Sequence, residues 1–254
     1  MSTPQRTRYS LSVVIPAYNE EANIEVVVLE TLQFLRSMTD RYEILVTDDA
    51  SSDRTGVILD HLQAEYPDAV RIFHHKVNTG TNVALAEMFK KARHELVFFL
   101  PADRQILCSS ISDYVAAVEE GADVVQGWRA KRVDPGHRWF FNWLYRFFLK
   151  LFLGVSYHDA SASDMYKKVI LDQIEFDSRG RLLQAEIVFK AACLGYKIKE
   201  IEVKHYPRTA GKQTGINAKT AWLSLMDLLR VAPKLRRFKK LAARNRSVLT
   251  PSAS

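Results

Sequence analysis

Apolar positions along the chain fall into two alternating kinds of segment: short unbroken runs, and longer stretches in which they return every third or fourth residue. Leu11-Ser-Val-Val-Ile-Pro-Ala17 is the first run, ended by Pro16, and Ile24 to Leu35 is the periodic stretch after it. Tyr42 to Asp49 repeats the run, and Ser51, Ser52 or Asp53 can cap a helix that reaches about Tyr66. Val70 to Lys76 is a third strand, followed by the turn Asn78-Thr-Gly80 and a helix to about Ala92. Leu96 to Leu100 is a fourth strand, stopped by Pro101, which cannot donate to a ladder. Unbroken apolar runs are strands buried on both faces, and their alternation with helices implies right-handed crossovers and a mostly parallel sheet. The expected class is α/β, a Rossmann-like sheet with helices on both faces.

Past Pro101 the pattern predicts a helix over 109–119, a strand from Ala122 to Gln126 running into Gly127-Trp-Arg129, a helix from Gln184 to Leu194 closed by Gly195, and an alternating strand from Lys197 to Tyr206. Pro207 to Gly215 is a loop rich in cations and glycine, and Asn217 to Ala232 is an amphipathic helix stopped by Pro233. Arg138 to Leu153 stands apart, with aromatic residues on nearly every side; as a helix, Trp139, Trp143, Phe147 and Leu151 recur at fourfold spacing. It reads equally as a core helix and as a helix lying in a bilayer headgroup layer. The expected organisation is a disordered N-terminus over 1–10, one catalytic-type domain over 11–215, a C-terminal helix over 216–233 and a basic, flexible tail over 234–254.

Charge sharpens the last boundary. Lys and Arg number 36 against 29 Asp and Glu, a net charge of +7. Lys234, Arg236, Arg237, Lys239, Lys240, Arg244 and Arg246 lie in one segment without an acid, so the rest of the chain sums to zero. A basic patch confined to one end argues for contact with an anionic surface, such as a membrane leaflet, and against a nucleic-acid-binding body. Cys108 and Cys193 are isolated thiols without metal-ligand spacing, and Met1 to Ser10 is polar without an apolar core. These features predict a cytoplasmic protein, at most peripheral on the inner face of a membrane. No stretch reaches the ~18 to 20 apolar residues that a spanning helix needs.

The candidate chemistry lies at the strand ends. Glu20 follows the first strand, Asp48 and Asp49 end the second, and Asp103 follows the fourth. Ligands in open α/β sheets bind outside the carboxyl ends of the strands. A lone Asp there more often caps a turn, but several acids at one sheet edge repel one another unless a cation, or a base and ribose, takes up the charge. Carboxylate and carboxamide oxygens are hard ligands suited to Mg²⁺ or Mn²⁺, which also take oxygens from a diphosphate. His74 and His75 read as strand residues without a role.

Pro16-Ala-Tyr-Asn-Glu20, Asp48-Asp-Ala-Ser-Ser-Asp53 and Ala102-Asp-Arg-Gln105, in this order, resemble glycosyltransferase family 2, and most of all its dolichyl-phosphate mannose synthase group of polyprenyl-phosphate glycosyltransferases. The likeness covers about residues 11 to 215. It implies a GT-A fold, inversion at the anomeric carbon and a divalent ion holding a nucleoside diphosphate sugar. By resemblance Pro16, Tyr18, Glu20 and Asp49, with Asp48 beside them, line the base and ribose, Asp103 and Gln105 hold the metal, and Gly127-Trp-Arg129 matches an Arg-bearing strand end. Arg208 and Gly211 match a later loop whose Arg faces the phosphates; an Arg fork bonds two phosphate oxygens at once. Three departures stand out: Pro101 occupies the place of a usual Asp, Gln213-Thr214 that of Ser-Lys, with Lys212 able to supply the charge, and His158 to Asp164 fits an acceptor-side motif loosely.

The implied reaction displaces a nucleoside diphosphate from the anomeric carbon, with Asp103 and Arg208 in the catalytic set. A hydroxyl acceptor needs a general base, for which Asp159, Asp164, Glu186 and His205 are candidates, whereas a lipid phosphate is already anionic and needs none. The leading expectation is transfer to a polyprenyl phosphate. The alternatives are a soluble transferase acting on a small hydroxyl or amino acceptor and, suggested by Pro101, a nucleotide-sugar-binding module without catalysis.

Overall fold

The computed structural model describes residues 6–129, 163–178, 180, 182–207 and 218–249. The first four expected strands are present: β1 (Leu11–Ala17), β2 (Tyr42–Asp48), β3 (Val70–His74) and β4 (Leu96–Phe99), joined by α1 (Ile24–Met38), α2 (Thr55–Glu65) and α3 (Thr81–Lys91). Then come α4 (Ile111–Glu119), β5 (Val124–Trp128), β6 (Asp164–Lys167), α5 (Lys168–Gln173), α6 (Leu183–Leu194), β7 (Ile198–Glu202) and α7 (Ala218–Leu249). Among the described residues the strands form one seven-stranded sheet in the order β3-β2-β1-β4-β6-β5-β7.

Side-chain alternation along each buried strand feeds two cores. Leu11, Val13 and Ile15 of β1 face one layer, with Ile24, Val28 and Leu32 of α1 and Tyr114 and Val118 of α4. Val14 and Leu45 face the other, with Met88 and Phe89 of α3, Ile187 of α6 and Leu228, Val231 and Leu235 of α7. The helices thus cover both faces, which is why β1, β2 and β4 carry no polar stripe.

Three expectations change. β6, which the apolar pattern did not reveal, inserts antiparallel between β4 and β5, with Phe98 opposite Met165 and Gln126 opposite Asp164. Its four residues, Asp-Met-Tyr-Lys, are too short to show a period. The N-terminal arm is tied down from Arg6 onward: Thr7 N donates to Met38 O at 2.9 Å and the buried Ser10 donates to Glu95. Pro233 does not stop the last helix, which runs through it to Leu249, so residues 234–249 are helical rather than a flexible tail. An interior proline costs about 3 kcal/mol, while each fully buried Leu or Val side chain returns about 1.5–3 kcal/mol. Leu228 and Val231 before Pro233 and Leu235 after it are all buried, and together they outweigh the break.

Candidate active site

β1 is parallel to β2 and β4, β2 to β3, and β5 to β7. Because β6 is antiparallel to both β4 and β5, all six other strands end at one edge, and β6 begins there. Two signs of a functional site coincide at that edge. The non-glycine residues with positive φ among the described residues are Asn19 (54°), Ala50 (61°) and Arg104 (59°), one just past each of β1, β2 and β4. Such backbone costs on the order of 1 kcal/mol per residue and persists where surrounding bonds enforce it. Among the described residues the buried side-chain atoms left without a hydrogen-bond partner are Arg104 Nε, Gln126 Oε1 and Ser163 Oγ, in the loop after β4, within β5 and just before β6.

On the β1–β2–β3 side the loops lock each other. Asn19 N donates to Ser51 Oγ at 2.9 Å and Ser52 N donates to Asn19 Oδ1 at 2.8 Å, while Glu21 N donates to Asp53 Oδ2 and Arg54 N to Glu21 Oε2. Glu20 is buried; its N–H donates to Thr55 Oγ1 and its Oε2 accepts from Asn23 Nδ2 at 2.8 Å. Asp48 Oδ1 accepts from Ser51 N, and its Oδ2 lies 3.1 Å from His74 Nδ1, whose Nε2 reaches Asp60 at 3.0 Å. Asp49 Oδ1 accepts from Thr79 N and Thr79 Oγ1 and lies 2.7 Å from His75 Nδ1; Oδ2 accepts from Gly80 N at 2.7 Å. Gly80 has φ of 90°, which a side chain would strain. Each histidine therefore ties an acid of β2 to an acid on the next helix, Asp60 on α2 or Glu87 on α3. His74 and His75 thus have a role that their strand position concealed. The available signal was two adjacent acids and two adjacent histidines ending neighbouring strands.

Burial raises the Asp49 carboxyl, but the bonds from Thr79, His75 and Gly80 outweigh it and hold the group below the usual carboxylate range. Burial lowers His74, yet Asp48 and Asp60 together raise it above its ordinary 6.5. Tyr18, next to Pro16 at the end of β1, keeps its ring 46% exposed, suited to stacking on a base.

The β4–β5–β7 side is less saturated. Asp103 Oδ1 accepts from Gln105 N at 3.1 Å, and its other oxygen takes no hydrogen bond from a described residue. Arg104 donates to Glu30 at 2.7 Å. The β7 side is drawn in by Tyr206 N donating to Gln105 O at 2.9 Å, and Arg129, just past β5, lies 3.5 Å from His205 Nε2. Gly127 is obligatory: a Cβ there would stand 2.0 Å from the Tyr114 hydroxyl, which donates to Ser163 O at 2.7 Å.

Two candidate bases sit in structural networks. Glu186 is fully buried, accepts from Asp177 N and Ser178 N at 2.8 and 2.7 Å and pairs with the buried Lys190 at 2.7 Å. The sequence could not show that its carboxylate anchors the 174–178 loop and so does not offer a free base. Asp164 starts β6 at the edge itself, but is buried, with Oδ2 accepting from Tyr166 OH at 2.7 Å and Gln184 Nε2 at 2.8 Å. Asp159, Arg208, Gly211 and Lys212 lie outside the described residues, as does the aromatic segment 138–153. Among the described residues no group of three or more His, Cys, Asp or Glu is placed to hold a metal ion, and no helix is long and apolar enough to cross a membrane.

The family model for glycosyl transferase family 2 matches residues 12–174. The polyprenol monophosphomannose synthase of Mycolicibacterium smegmatis is 27% identical over 233 residues, covering 85% of this chain and 85% of that protein. The undecaprenyl-phosphate 4-deoxy-4-formamido-L-arabinose transferase of Shewanella sediminis is 30% identical over 223 residues, which are 86% of this chain and 64% of its own length. Among solved structures, glucosyl-3-phosphoglycerate synthase from Mycobacterium tuberculosis, in complex with Mn²⁺, UDP and glucosyl-3-phosphoglycerate, superposes with a TM-score of 0.68 at 20% identity, covering 89% of this chain and 81% of that one. That likeness is one of fold, and it agrees with the GT-A architecture the motifs implied.

Proposed function

Since the chain belongs to glycosyl transferase family 2 and is a glycosyltransferase, we propose that it moves a sugar from a nucleoside diphosphate sugar to the phosphate of a polyprenyl lipid. The observation that carries this reading is the occupation of two of the four candidate bases, Glu186 and Asp164. Glu186 and Asp164 are buried in structural bonds, and a phosphate acceptor, unlike a hydroxyl, needs no base. The relatives from Mycolicibacterium and Shewanella, named for a polyprenol monophosphate and an undecaprenyl phosphate, support the same acceptor class.

In this mechanism Tyr18 stacks on the base, and the locked loops after β1 and β2 hold the ribose side. Arg129, with Arg208 beyond the described residues, binds the diphosphate as charge develops on it during departure. Asp103, with one oxygen unbonded, and the Gln105 carboxamide fit a divalent ion of the Mg²⁺ or Mn²⁺ type, because such ions take few protein oxygens and fill the rest from phosphate and water. Asp103 and Gln105 would hold such an ion, which would supply neutralisation of the leaving-group charge.

The C-terminal helix suits an acceptor held in a membrane. Leu223, Met226 and Leu229 are 57, 46 and 45% exposed, and α7 carries them on the same face as exposed Pro233, Arg237 and Lys240. Arg237 and Lys240 make no ion pair with a described residue, unlike Arg230 and Lys234, which pair with Asp227 and Asp177. A half-apolar, half-cationic face matches an anionic leaflet, where each basic residue contributes about 1 kcal/mol. The test offers a nucleotide sugar and either a short-chain polyprenyl phosphate or 3-phosphoglycerate, with EDTA and with Mn²⁺ restored. A glycosylated lipid phosphate, formed only with the ion present, is expected; transfer to the soluble acceptor alone would overturn the reading.

A further inference from the structure

His75 follows β3 and turns its ring inward, with 12% of the side chain exposed, although the loop after it, Lys76 to Thr79, is exposed. Its N–H donates to Asp48 O at 2.9 Å, and its Nδ1 lies 2.7 Å from Asp49 Oδ1 and 2.9 Å from Thr79 Oγ1. An ionised carboxylate only accepts, so Nδ1 carries its hydrogen toward Asp49. Nε2, 3.3 Å from Glu87 Oε2, fastens the ring to α3. Asp49 passes the constraint onward: its own N–H donates to Ala17 O at 2.9 Å, and Tyr18, with its exposed ring, follows Ala17.

We propose that His75 is a positioning residue for donor binding, holding through Asp49 the Ala17–Tyr18 turn and the 76–80 loop in the shape that receives the nucleoside; this deepens the transferase reading and rests on it. Two observations independent of the ring support the assignment. β1 pairs with β2 on one side and β4 on the other, so the connections reverse direction beside its carboxyl end. In open α/β sheets the ligand crevice opens at that point, which is where Ala17 and Tyr18 stand. Ala50, the residue after Asp49, is held at a φ of 61°. Left-handed backbone at a non-glycine residue opposes folding, and strain that surrounding bonds sustain at a sheet's ligand edge marks function. Asp49, bonded to Thr79, Gly80 and His75 at its side chain and to Ala17 at its backbone, is what sustains it.

Loss of a hydrogen bond to a charged group lets the fraction of molecules with the loop in place fall about tenfold, and apparent affinity falls with that fraction. Asparagine puts its amide nitrogen where Nδ1 stands, whereas glutamine puts it nearer the place of Nε2. His75→Gln and His75→Asn are therefore compared with the unaltered protein by calorimetric titration of UDP, UDP-glucose, GDP and GDP-mannose in the cold, with urea midpoints read in parallel. For the nucleotide that the unaltered protein binds, His75→Gln should lose that factor equally with and without the sugar, and His75→Asn should recover most of it. A merely structural role would instead make affinity in the cold indifferent to either change, with only the midpoints falling. Should either variant not fold, Glu87→Ala takes its place: it removes only an exposed partner of the ring, so the midpoint holds while affinity falls a few-fold. Unchanged affinity in His75→Gln or its stand-in would overturn the assignment, as would a loss that asparagine does not relieve or one confined to the sugar nucleotide. No binding of any probe by the unaltered protein would overturn the transferase reading together with it.

Discussion

The two halves of the sheet's carboxyl edge carry the same kind of residue in opposite states. On the β1–β2–β3 side, both oxygens of Asp48 and of Asp49 have partners, and the loops holding Asn19 and Ser51 to Asp53 bond each other. On the β4–β5–β7 side, Asp103 keeps an oxygen that no described residue bonds, and Gln126 Oε1 is unsatisfied among the described residues. An acid at a strand end is therefore an ambiguous signal. Saturated, it is a rivet that fixes the loops around the candidate site; unsaturated, it is free to meet a ligand.

The contrast fails most visibly if Asp103 can be lost without consequence. Asp103→Asn should lower the transfer rate about 10²- to 10³-fold, the scale of removing one group that stabilises transition-state charge, while the melting temperature holds. Steady-state rates and a thermal scan decide it. Asp49→Ala should do the reverse. Stripping the partner from Thr79, Gly80 and His75 should cost about 3 kcal/mol of stability, read as a lower urea midpoint, with weaker donor binding following from the loosened loop. An unchanged midpoint with donor affinity lost would restore Asp49 as a direct ligand and end the distinction. The smallest effect belongs to His74. Its folded pKa is raised, so its contribution is complete below its ordinary 6.5 and is lost as pH rises through the raised value. The ring is 42% exposed, so screening holds this below about 1 kcal/mol. Urea midpoints should decline for the natural chain between pH 6 and 8, and His74→Gln should flatten that decline.

Where a run of apolar residues met an abrupt polar stop, the sequence was transparent. β1, β2, β3 and β4 were all read within a few residues; for β1, β2 and β4 burial on both faces leaves no other use for such runs, while β3 is a half-buried edge strand. It was opaque wherever the deciding partner is distant. Nothing local in Asp-Met-Tyr-Lys announces a strand, since β6 exists only by pairing with β4 and β5. Pro233 is a sound stop signal until Leu228, Val231 and Leu235 are seen to pack into one core. The position of Asp49 was legible, but its saturation by Thr79, Gly80 and His75 depends on a loop some thirty residues away. The Asp49→Ala change that looks harmless to the fold from the motif alone is thus predicted to damage it. Cys108 follows the simpler logic: an isolated thiol with no chemical task is pushed up to about 11 by burial.

The antiparallel β6 also dictates the order in which the nascent chain can complete its sheet. By the time β4 has left the ribosome, β3, β2, β1 and β4 can already pair as a four-stranded unit. β5 emerges next with no partner at all, because its neighbours are β6 and β7, both later in the chain. Until residues 164–167 arrive, β4 presents Leu96 to Phe99 as an open edge and β5 waits as an apolar strand beside it. At roughly 5–20 residues per second this interval lasts seconds, long enough for a mistaken β4–β5 pairing to compete with the correct one. The Asp164 that begins β6 is then the first residue to part the two strands at the edge that carries the candidate site.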